Sequence, residues 1–100
     1  CGGLNVYPKE VEMVIDDIPE VKESAIIGAP DPDFGEVVIA VVVIEDNCSA
    51  HNDFLEKKVI SFCKTQLANF KIPKRIEVVQ SLPRNAMGKV QKNLLRERFK

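Results

Sequence analysis

The residue best suited to chemistry in this sequence is a lysine near its end. Lys89 closes the run Pro83-Arg84-Asn85-Ala86-Met87-Gly88-Lys89, which follows an apolar, strand-like stretch and precedes a short basic segment. Proline and glycine in that run predict a loop. A lysine on a loop carries a compact, mobile positive charge away from its own domain, a property suited to phosphate chemistry. The spacing is not that of a phosphate-cradling P-loop. That motif needs glycine five residues before its second glycine and Ser or Thr after the lysine; Pro83 and Val90 stand there. A lone Gly-Lys pair reads more readily as solvated surface, so its meaning depends on the rest of the chain.

Other reactive residue types are less well placed. Gly2-Gly3 permits a close backbone approach to a ligand or a simple bend. The pairs Asp16-Asp17 and Asp31/Asp33 suit a helix end and a turn better than acid–base catalysis. Cys1, Cys48 and Cys63 have no metal-ligand spacing, and His51 is the sole histidine, so no metal site is expected. No Ser/His/Asp set or Cys/His pair can be assembled. On residue chemistry alone the chain is not a complete enzyme.

Length and charge narrow the field. One hundred residues with 45% hydrophobic content make one small globular domain. The net charge of −1 gives no overall pull toward nucleic acid or membrane. No apolar run approaches the roughly 20 residues of a membrane span, and no signal peptide is recognisable. An odd cysteine count without a pairing pattern suits a reducing compartment, with a cytoplasmic protein expected. The abrupt start at Cys1-Gly2-Gly3, without an initiator Met, suggests an excerpt of a longer polypeptide. Residues 1–63 hold only Lys9, Lys22, Lys57 and Lys58 of the 14 basic residues. The other ten lie in 64–100 with two acids, Glu77 and Glu97, so the last third reads either as a solvated face or as an anion site.

The elements that must carry Lys89 are legible. Pro8 opens a helix to Asp17, with Val11, Val14, Ile15 and Ile18 on one face. Val21 to Ala29 reads as a strand and Pro30 to Gly35 as a turn-rich loop. Glu36 to Ile44 reads as a second strand, apolar on both pleat faces and therefore central and covered on both sides. A second helix runs from Asn52 to Ala68 with Leu55, Val59, Phe62 and Cys63 as its stripe. Phe70 to Lys74 breaks it, Ile76 to Val79 forms a third strand, and Gln91 to Arg98 a last helix. The fold class is α+β: a small, mainly three-stranded sheet flanked by helices.

Five segments in order resemble the C-terminal domain of the adenylate-forming acyl-CoA synthetases. They are Gly2 to Glu12, Glu23 to Gly28, Pro32 to Glu36, Leu67 to Lys74 and Leu82 to Val90. The likeness covers nearly the whole chain, and its wording most resembles bacterial malonyl-CoA synthetases. It implies a parent enzyme that joins a carboxylate to ATP, giving acyl-adenylate and pyrophosphate, and then passes the acyl group to coenzyme A, releasing AMP. Residues 1–100 would be its mobile lid, with a large N-terminal domain of the same polypeptide holding most of the ATP site, the Mg2+ ion and the carboxylate pocket.

By the same resemblance Lys89 matches the adenylation lysine, which offsets charge between the attacking carboxylate and the α-phosphate. Gly2 and Gly3 match a segment lining the pantetheine tunnel, with Cys1 in place of the usual serine before them. Phe70, Lys71 and Lys74 match the region near the nucleotide end of coenzyme A, although Ile72 stands where some relatives carry Arg. Related fatty-acyl and aryl-CoA ligases, and adenylation domains that load a carrier protein, share much of the pattern. A stand-alone nucleotide- or anion-binding module is the rival of another class. Base-stacking side chains for it are scarce, namely Tyr7 and five Phe.

Overall fold

The computed structural model describes residues 8–33, 35–45, 52–68 and 71–99. Six elements follow one another: α1 (Pro8–Asp16), β1 (Val21–Asp31), β2 (Gly35–Ile44), α2 (Asn52–Gln66), β3 (Arg75–Val78) and α3 (Lys92–Arg98). They build one three-stranded sheet in the order β1-β2-β3. β1 and β2 are antiparallel, whereas β2 and β3 are parallel. Parallel neighbours need a long crossover, and α2 lies within it.

β2 is the central strand, as its two apolar pleat faces require. Val38, Ala40 and Val42 pack on one face with Val11, Ile15 and Ile18 from the α1 region and with Leu55, Val59 and Cys63 of α2. Val37, Ile39, Val41 and Val43 pack on the other face with Val79, Leu82 and Leu95. Burying each such side chain contributes about 1.5–3 kcal/mol, so β2 anchors two cores at once. The periodicity of both long helices is thereby accounted for: Val11, Ile15, Leu55, Val59 and Cys63 are all buried. α3 is short and holds on by one buried side chain, Leu95, with Val90 and Phe99 packed around the same core.

One boundary is corrected. Pro30 to Gly35 was expected to be loop, but Pro30 pairs with Glu36 and Asp31 with Gly35, so β1 continues through Pro30 to Asp31. β1 is an edge strand, where a residue without an N–H costs no ladder hydrogen bond. The same edge is partly covered by α1, because Glu12 Oε2 accepts the Ile26 N–H at 2.8 Å. Asp16, at the end of α1, accepts the Ser24 hydroxyl at 2.7 Å, the helix-end role expected of it. Its carboxyl pKa is raised above the ordinary value, first by desolvation.

Candidate functional site

The stretch expected as a plain loop around Lys89 is a small β-hairpin. Arg84 and Val90 form an antiparallel bridge. The Gln91 N–H donates to the Pro83 carbonyl at 2.8 Å and the Asn85 N–H to the Lys89 carbonyl at 3.0 Å. The turn closes with the Gly88 N–H on the Asn85 carbonyl at 2.9 Å, and Gly88 has φ +84°. A four-residue turn whose last residue is a glycine in the left-handed region is the usual short hairpin with a bulge, and the glycine avoids the steric cost of positive φ. Asn85 adds its side chain, as asparagine does at turns. Its Oδ1 accepts the N–H of Met87 at 2.9 Å and of Lys89 at 3.0 Å.

Lys89 is exposed on this scaffold, and among the described residues its ammonium has no hydrogen-bond or ion-pair partner. It borders an open groove of about 690 Å³ between the hairpin, α1 and α3. Lys9 and Glu12 of α1, Asn85, and Lys92 and Arg96 of α3 share the lining. Lys92 Nζ lies 2.7 Å from Glu12 Oε2. Four cations therefore face one carboxylate, leaving the groove positive and suited to an anion.

The rest of the basic last third is distributed differently. Lys71 Nζ pairs with Glu10 of α1 at 2.7 Å, Arg84 with Glu23 of β1, and Arg75 with Glu77. Part of the local excess read from the sequence is thus balanced by acids from the first third, Glu10 and Glu23, while Glu77 belongs to the last third itself. Lys74 is exposed, and its N–H donates to the Val38 carbonyl at 2.8 Å. Lys71 and Lys74 follow α2, whereas Lys89 belongs to the hairpin before α3. Gly2, Gly3 and Phe70, together with Cys1, Cys48 and His51, lie outside the described residues. Cys63 is fully buried, and desolvation pushes its thiol up to about 11, so it packs as a small hydrophobe.

Sequence reasoning named Lys89 but missed what surrounds it. Asparagine at the start of a turn was a usable signal for Asn85. Nothing local announces the contacts of Arg84 with Glu23 or of Lys92 with Glu12, which the fold brings together.

A mixed three-stranded sheet with helices on both faces matches the small α+β C-terminal domain of adenylate-forming enzymes. The sequence profile of the AMP-binding enzyme C-terminal domain matches residues 10–89, and the chain belongs to that family. It is similar to the long-chain-fatty-acid–CoA ligase FadD13 of Mycobacterium tuberculosis, 42% identical over 98 residues, covering 98% of this chain and 18% of that protein. A 2-succinylbenzoate–CoA ligase of Listeria monocytogenes is 45% identical over 97 residues, 97% of this chain and 20% of that one. Among solved structures, apo MatB from Rhodopseudomonas palustris superposes with a TM-score of 0.89 at 53% identity, covering 98% of this chain and 19% of MatB. The chain thus spans about a fifth of the length of these relatives.

Proposed function

We propose that residues 1–100 form the mobile lid of an ATP-dependent, AMP-forming acid–thiol ligase, an acyl-CoA synthetase. The observation that carries this reading is the state of Lys89: its backbone is hydrogen-bonded on both sides to Asn85, while its ammonium is exposed and unpaired among the described residues. Such a side chain is poised to enter a site built by another domain. There it lies between the carboxylate oxygen and the α-phosphate and offsets the charge that builds as the acyl-adenylate forms. It acts by electrostatics and position, not as a base. Coenzyme A, or a phosphopantetheine carrier, then takes the acyl group and AMP leaves. In that second step Lys71 and Lys74, with Gly2, Gly3 and Phe70, contact the thiol substrate.

The Mg2+ that accompanies ATP is assigned to the large N-terminal domain. Among the described residues no three His, Cys, Asp or Glu side chains gather as a metal site, so no step here runs through it. Among the described residues no helix is long and apolar enough to cross a membrane. A reducing cytoplasm suits the buried thiol of Cys63.

Acid choice is assigned to the large N-terminal domain. Relatives of 42–50% identity are named for a long-chain fatty acid, for 2-succinylbenzoate and for a bicyclic propanoate, all carrying this same small domain. Malonate is proposed as the substrate on the sequence likeness to malonyl-CoA synthetases.

The test is carboxylate-dependent ATP–pyrophosphate exchange by the full-length parent, wild type beside Lys89→Ala, across malonate, acetate, fatty and aromatic acids. Exchange that peaks with malonate and collapses in the variant supports both parts. A peak with another acid keeps the mechanism and discards malonate. Equal loss of adenylation and thioester formation, with the fold intact, sinks the role given to Lys89.

A second reading rests on the positive groove alone: an anion-binding module of another class. Oligonucleotide binding by the isolated chain that falls steeply with salt would favour it.

A further inference from the structure

We propose that Arg84 and Asn85 are positioning residues for Lys89, holding the peptide unit that carries it by both ends. This rests on the adenylation role given to Lys89 above.

The critical unit is the Gly88–Lys89 peptide. Its carbonyl accepts a hydrogen bond from an Arg84 guanidinium nitrogen at 2.6 Å. Its N–H donates to Asn85 Oδ1 at 3.0 Å. The next carbonyl, that of Lys89, accepts the Asn85 N–H at 3.0 Å. The other terminal nitrogen of Arg84 pairs with Glu23 of β1, tying the hairpin to the sheet. Lys89 therefore leaves a backbone whose orientation is set on both sides and referred to β1.

No atom packs over the Gly88 Cβ position to fix that orientation. The space around Gly88 is open, with nothing within 4 Å of where a Cβ would sit. Glycine is the residue most able to rotate its flanking peptides, and it directly precedes the lysine. Without the two side chains the Gly88–Lys89 peptide would be held by the main-chain bonds of the hairpin alone, and the ammonium would be aimed less sharply. The same groups add little to folding, because Arg84, Asn85 and Gly88 are exposed and an exposed ion pair contributes little to stability. Their effect falls on aim. A catalytic charge misplaced by roughly 1 Å loses about 10²-fold in rate.

The experiment uses the full-length parent with Arg84→Met, Asn85→Leu and the conservative Asn85→Ser, whose hydroxyl still accepts a hydrogen bond. Each is made alone and on a Lys89→Ala background. Adenylate formation, thioester formation from preformed acyl-adenylate, KM for ATP and the melting temperature are read for each. Arg84→Met and Asn85→Leu are expected to lower kcat for adenylation by about 10- to 100-fold, with KM for ATP, the thioester step and the melting temperature close to wild type. Asn85→Ser should recover most of the rate. On the Lys89→Ala background neither change should cost anything further, because each acts through the lysine. Wild-type adenylation in both variants, equal loss of both half-reactions, or an undiminished loss on the Lys89→Ala background overturns the proposal. If Lys89→Ala itself keeps full adenylation, the functional reading fails and this inference with it. If Lys89→Ala alone collapses, only the inference fails.

Discussion

Glu10 and Glu12 stand two positions apart on α1 and reach different parts of the fold: Glu10 to Lys71 after α2, and Glu12 to Lys92 at the start of α3. Two residues turn a helix by about 200°, so the two carboxylates leave α1 on nearly opposite sides. The Lys71 segment after α2 and the start of α3, which follows the hairpin, are thereby tied to different flanks of one helix. This separation would let the proposed lid present one surface to each half-reaction.

The two glutamates differ in what they hold. Glu12 accepts both the Ile26 N–H and Lys92 and is largely covered, whereas Glu10 has one partner and is 46% exposed. Glu12→Ala should destabilise the 100-residue chain by about 1.5–3 kcal/mol, the range for a hydrogen bond to a charged group. Glu10→Ala should cost no more than about 0.5 kcal/mol, as for other surface changes. Urea unfolding of both variants checks the difference.

Lys71 and Lys89 should separate the half-reactions. Lys89→Ala is expected to lower adenylation by about 10²–10³-fold while sparing thioester formation from preformed acyl-adenylate. Lys71→Ala should raise KM for coenzyme A and leave ATP–pyrophosphate exchange unchanged. Steady-state assays of each half-reaction in the full-length parent decide it.

Gly88 is a conformational requirement, not a steric one. An added Cβ meets no atom within 4 Å, yet φ is +84°. Gly88→Ala should therefore cost about 1–2 kcal/mol from the left-handed backbone alone. A lower urea midpoint with an unchanged slope is the expected signature.

Cys63 sets an alkaline limit. Burial raises its thiol from 9.0 to about 11 in the folded chain. Above pH 9 the unfolded chain has lost this proton while the folded chain keeps it, so stability falls as pH rises from about 9 to 11. The contribution is complete below pH 9. Cys63→Val should flatten that part of the stability–pH curve, and in the native chain the thiol should react with a disulfide reagent only after unfolding.

Much of the architecture is local information. The faces of α1 and α2 are written in Val11, Ile15, Leu55, Val59 and Cys63, and the two-sided burial of β2 in its unbroken apolar, mostly β-branched run. These patterns fix elements because apolar spacing leaves one way to bury each face. The end of β1 was less legible. Pro30 signals a turn, and only the position of β1 at the sheet edge lets the strand run past it. For the site, the sequence pointed to Lys89 and left its surroundings as loop.

What the sequence determined by itself was thus the order and faces of the elements, the family likeness, and the lysine on a turn before a basic end. The tertiary structure alone decided which charges meet. Arg84 and Glu23 are 61 residues apart along the chain, and Lys92 reaches back from α3 to Glu12. Apolar periodicity specifies a buried face through local geometry, but a charged side chain on a surface accepts many partners at similar free energy. Its partner is chosen only when packing of the cores brings a strand, a hairpin and two helices within reach.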